Sequence, residues 1–105
     1  MRKASVFMQN ELAGFLIEST DRSTYTFEYV ENYDGLPVSL TMPVHQKFFS
    51  FPHFPPFFDG VLPEGIMLEG LLRQLKIDKK DYFSQLLAVG EDLVGAVTVK
   101  PLQDE

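Results

Sequence analysis

The residues able to do acid, base or metal chemistry are few and poorly grouped. Histidine occurs only at His45 and His53, within a run of Phe and Pro. That is not a metal-ligand spacing, so the pair reads as two structural or exposed imidazoles. Asp59, Glu64 and Glu69 lie near Gly60 and Gly65. Two carboxylates across a cleft are what a glycosidase uses, but a chain of 105 residues with short strands leaves little wall for such a cleft. Glu91-Asp92 follows Gly90 as half of a metal-binding pair without further oxygen ligands, and a polar turn is the simpler reading. Cys is absent, which removes disulfides, thiolate ligands and thiol nucleophiles. No Gly-rich phosphate loop follows a strand, and no Gly-x-Ser-x-Gly elbow is present. The inventory points away from an enzyme, a metal site or a cofactor. It points toward a domain that acts by binding another protein.

Charge narrows the kind of partner. The net charge is −6, from 15 acidic and 9 basic residues. A nucleic-acid surface needs a local excess of Lys and Arg. The one dense basic group, Arg73, Lys76, Lys79 and Lys80, reads as a solvated helix end and turn, so no direct nucleic-acid partner is expected. Nor does any apolar run reach the ~20 residues that span a membrane. No signal-type stretch follows Met1-Arg2-Lys3. A cytoplasmic protein, with one domain over residues 1–105, is the expectation.

The elements that must position these groups follow from periodicity. Ala4, Val6 and Met8 share one face of a first strand, and Leu12 to Glu18 forms a second, with Gly14 marking a bulge or close approach. Tyr25, Phe27 and Tyr29 alternate with polar residues in a third. Asp34-Gly35 is a turn, after which Val38, Leu40 and Met42 alternate as a fourth strand ended by Pro43. His45 to Phe58 holds six Phe and three Pro. It is expected to be an irregular, aromatic-packing loop, either a lid over the open side of the sheet or a sticky surface. Pro63 suits a first helical turn, and Leu68, Leu71, Leu72 and Leu75 repeat at helical spacing. Glu69 and Arg73 stand four apart, in the order that favours an ion pair. Asp78 is expected to cap a second helix carrying Tyr82, Phe83, Leu86 and Leu87, with Gly90 ending it in the left-handed conformation. Gly95 to Val99 makes a last strand that returns to pair with an early one. The fold class is α+β: a mostly antiparallel sheet of about five strands with two helices on one side.

Three stretches in this order carry a family likeness. They are Phe57-Phe58-Asp59-Gly60-Val61-Leu62-Pro63-Glu64-Gly65, the Leu68 to Leu75 helix, and Leu86-Leu87-Ala88-Val89-Gly90-Glu91-Asp92-Leu93-Val94-Gly95-Ala96-Val97. Together they resemble the N-terminal domain of HipA-type serine/threonine kinases, the toxins of bacterial persistence modules. Leu12-Ala13-Gly14 opening the second strand fits as well. A HipA-type kinase runs on for several hundred residues, whereas this sequence stops at Glu105 with no kinase motif. The resemblance therefore implies the stand-alone form of the domain. In tripartite modules that form is an antitoxin, acting on a HipT-like kinase that lacks the domain, alongside a HipB-like DNA-binding repressor.

The resemblance implies a surface complementary to the kinase, and such surfaces are anchored by apolar or aromatic side chains in a polar rim. The turn Pro63, Glu64, Gly65, Ile66 and Met67 is the candidate. Ile66 and Met67 fall outside the strict Leu period, and Gly65 permits an unusual backbone angle. Either this turn is a wedge for the kinase, or Ile66 and Met67 are core residues of the first helical turn. The acidic balance suits a basic kinase surface. A non-inhibitory scaffold bridging kinase and repressor is the alternative function, and a remnant of a longer kinase is a third.

Overall fold

In a computed structural model, residues 1–93 and 96–102 are described. Five strands form one antiparallel sheet in the order β4-β3-β2-β1-β5. They are β1 (Arg2–Met8), β2 (Glu11–Glu18), β3 (Tyr25–Tyr29), β4 (Phe48–Phe51) and β5 (Val97–Pro101). Between β4 and β5 come α1 (Pro56–Gly60), α2 (Gly65–Leu75) and α3 (Tyr82–Val89). The last strand returns to β1, pairing Val6 with Val99. The expected fold class is the one found, with a third, single-turn helix added.

One face of the sheet makes the core. Ala4, Val6 and Met8, Leu16, Tyr25, Phe27 and Tyr29, and Val97 and Val99 are buried with Phe58, Phe83 and Leu86 from the helical layer. Period-two alternation forces this segregation, because successive side chains leave opposite faces of a strand. Opposite Val6 and Phe7 the β1–β2 register slips past Ala13, next to Gly14. A Cβ at Gly14 would stand 2.3 Å from the Glu28 carbonyl oxygen, so the expected bulge and close approach occur together.

Four local expectations are overturned. Val38–Met42 is no strand of the sheet. Pro37 and Pro43 flank a turn closed by a Ser39–Met42 bridge, with Leu40 at its tip, 94% exposed. The Tyr29 hydroxyl pins that segment from inside: it accepts from the Val38 amide (2.9 Å) and donates to the Met42 carbonyl (2.6 Å). The Phe-rich stretch, expected to be irregular, supplies β4 and α1. Its prolines begin only at Pro52, so Phe48–Phe51 keeps its ladder donors and pairs with β3. Pro56 then sits in the first turn of α1, where a missing N–H is harmless. As a lid the stretch is real: Phe58 is fully buried, and Phe49, Phe51, Phe54 and Phe57 pack on the core.

The helix ends differ as well. Asp81, not Asp78, caps α3, accepting from the Ser84 amide at 3.2 Å. Asp78 instead accepts from the Lys80 amide in the preceding turn. Gly90 is right-handed, at φ −56°. Glycine is needed there for space: an added Cβ would meet the Val99 carbonyl oxygen at 2.0 Å. The predicted start of the last strand at Gly95 lies outside the described residues, as does Val94.

Candidate functional site

The turn from Pro63 to Met67 connects the buried Leu62 to α2. Pro63 is half-buried, Glu64 is extended (φ −132°, ψ 165°), and Gly65 turns left-handed at φ +61°. Only glycine adopts that angle freely, which accounts for glycine at the entry to α2. The helix therefore starts at Gly65, two residues past Pro63, and Glu64 is its N-cap without a side-chain cap bond. Ile66 is 86% exposed and Met67 76%. They are not core residues of the first turn; they stand in water as neighbours on one helical turn.

The rest of α2 is covered only in part. Leu68, Leu71 and Leu72 are half-buried, Leu75 is exposed, and no residue of the helix reaches full burial. An isolated helix of this length is marginal in water. Lys76, left-handed at φ 56°, ends it. Glu69 and Arg73 form no ion pair, although their spacing would allow one.

A second constellation sits at one end of the inner strands β1 and β2, where Arg2 pairs with Glu18. Arg2 donates from Nε and Nη2 to the two oxygens of Glu18 (2.6 and 2.9 Å), and from Nη2 to Asp81 Oδ1 (2.7 Å). It also reaches Ser84 Oγ (2.8 Å) and lies 5.0 Å from the centre of the Phe83 ring. Tyr25 donates to Glu18 at 3.2 Å. Burial pushes the Tyr25 hydroxyl up to about 12, helped by the Glu18 charge. Burial also works against ionised Asp81, but hydrogen bonds from Arg2 and Ser84 outweigh it and hold the carboxyl at about 2. The only advance signal was a charge at Glu18 on the inward side of an apolar strand.

A cleft of about 290 Å³ lies over this cluster, lined by Glu18, Arg22, Tyr25, Asp78, Lys80 and Asp81. The Asp81 carboxylate there is engaged by Arg2 and held ionised, which does not suit a general acid or base near neutrality. Among the described residues no buried side-chain polar atom is left unpaired. No group of three His, Asp or Glu among them could hold a metal. His45 and His53 are exposed. Asp59, Glu64 and Glu69 are exposed too and line none of the clefts described. No helix among the described residues is long and apolar enough to cross a membrane.

Comparison with known proteins agrees with this architecture. A family model described as the HipA N-terminal domain matches residues 4–100. An uncharacterised protein of Haemophilus influenzae is 34% identical over 100 residues, spanning 95% of this chain and 92% of that protein. A solved structure described as the N-terminal domain of HipA toxin superposes with a TM-score of 0.77 at 29% identity, covering 100% of this chain and 96% of that one. A chain of a Shewanella oneidensis toxin–antitoxin complex of HipA, HipB and operator DNA gives a TM-score of 0.75 at 22% identity. There the match takes in 96% of this chain but only 24% of that one, and it shows likeness of fold alone.

Proposed function

The chain belongs to the HipA N-terminal domain family, and from that membership we propose that it is a free-standing form of the domain, of the HipS kind. In this reading residues 1–105 act as one unit in the cytoplasm, without catalysis of their own. They bind and neutralise a HipT- or HipA-like serine/threonine kinase toxin through Pro63, Glu64, Gly65, Ile66 and Met67.

The observation that carries the proposal is the exposure of Ile66 and Met67 (86% and 76%) beside the left-handed Gly65. Two large apolar side chains next to each other in water gain by burial on association, each by about 2 kcal/mol when fully covered. A short turn between the buried Leu62 and a helix loses little further freedom on binding, which matters because association carries a large entropic cost. The Haemophilus relative, matched over 92% of its own length, fits a domain that exists apart from a kinase. A HipB-like repressor joins as third component of the complex.

Pull-down with a HipT-like kinase of the same genome, followed by a phosphorylation assay and a growth-rescue assay, tests this. Binding, reduced phosphorylation and rescue without the repressor are expected. Rescue that requires the repressor would instead favour a bridging scaffold, and absence of binding would remove the proposal.

A further inference from the structure

We propose that the docking surface is not the turn alone but the whole outer face of α2, and that its occupant is a ridge of the kinase with cations opposite Glu64 and Glu69 and a backbone that crosses α2 at Gly70. This rests on the kinase being the partner.

Ile66, Glu69, Gly70 and Arg73 recur at i, i+3, i+4 and i+7, so they share one helical stripe, and all four are exposed. Among the described residues nothing requires glycine at Gly70. Its φ is not left-handed, and a Cβ added there meets nothing within 4 Å. In an exposed helix interior, glycine is less favourable than alanine. Gly14 and Gly90 differ, because backbone carbonyl oxygens stand 2.3 and 2.0 Å from their added Cβ. A gap that none of the described residues fills, flanked by Ile66 and Met67, suits the close approach of a backbone from outside.

Charge states what that backbone carries. Glu64 and Glu69 bracket Ile66 and Met67, and neither is in an ion pair among the described residues. Arg73, one turn beyond Gly70, is equally without an ion-pair partner among them. Along the axis the face reads acidic and apolar at its N-terminal end, small in the middle and basic at its C-terminal end. Complementarity sets cations of the partner opposite Glu64 and Glu69, a close-packed backbone over Gly70 and a carboxylate near Arg73. The order also fixes the direction in which the partner segment runs.

Gly70→Ala separates this from every account in which α2 is only a support. The full-length variant is expected to melt roughly 4 °C higher than the parent, yet to bind the HipT-like kinase at least tenfold more weakly by calorimetry. Glu64→Lys with Glu69→Lys is expected to weaken binding and to lower the salt dependence of the association rate. If the parent binds and Gly70→Ala binds equally well, the docking face is wrong while the antitoxin reading stands. If the parent does not bind the kinase, both fall. If light scattering shows a dimer that Gly70→Ala abolishes, the occupant is a second copy and the kinase assignment is overturned.

Discussion

Arg2 and Glu18 meet on the inward side of the sheet through two hydrogen bonds, joining the first residue of β1 to the last of β2. Glu18 is almost wholly buried there, its side chain 3% exposed. Removing Arg2 leaves that buried carboxylate only the exposed Arg22, at 3.9 Å, as counter-charge, which costs more than the pair itself contributes. Arg2→Ala is expected to lose roughly 3 kcal/mol in urea denaturation. The double replacement Arg2→Met with Glu18→Leu is expected to lose clearly less. A double variant worse than Arg2→Ala would contradict this account.

Acid should expose Asp81. Its carboxyl is held at about 2, below the ordinary 3.8, because Arg2 and Ser84 favour the ionised form more than burial opposes it. A depressed value in the folded state adds stability that is complete above 3.8 and disappears as pH falls toward about 2. Asp81→Asn should flatten the stability profile in that window, and it should also weaken the α3 cap by about 1 kcal/mol. Thermal melts across the acid range check both.

Glycines predict opposite outcomes at different positions. Gly90→Ala drives a Cβ to 2.0 Å from the Val99 carbonyl oxygen, just where the Val99 amide donates to the Gly90 carbonyl at 2.9 Å. Parting that contact means moving β5 from α3, at a loss of about 3 kcal/mol. Gly60→Ala, with nothing within 4 Å, should leave the melting temperature unchanged or slightly raised. Equal behaviour of the two variants would refute the steric explanation.

The Phe-rich stretch divides in the same manner. Phe58 is fully buried with its ring 6.2 Å from that of Phe27, and Phe58→Ala should lose about 4 kcal/mol. Phe48 is 55% exposed, so Phe48→Ala should lose far less. Denaturant midpoints of the two variants decide whether the stretch is mainly a lid.

Ile66→Asp with Met67→Asp is the central functional test. At such exposed positions stability should move by no more than roughly 0.5 kcal/mol, while kinase binding and growth rescue are lost. A variant that unfolds, or one that still neutralises the kinase, would defeat the wedge.

Short-range pattern was enough to read several elements directly. The inward faces Ala4/Val6/Met8 and Tyr25/Phe27/Tyr29, the bulge at Gly14 and the return of the last strand all follow from alternation and from where glycine is tolerated. The turn at Pro63–Met67 was legible as an oddity of composition, but its exposure was not. Periodicity says which side of an element is apolar, and it is silent on whether anything covers that side. The Leu stripe of α2 reads like the stripe of a core helix, yet among the described residues it is covered only in part, with Leu75 exposed. Likewise Val38–Met42 alternates like a strand, but the Tyr29 hydroxyl takes its polar groups first. Arg2, Glu18 and Asp81 are far apart along the chain, and only the folded sheet brings them within hydrogen-bonding reach. Local residue order set the faces and the breaks; long-range packing decided which faces meet each other and which stay exposed.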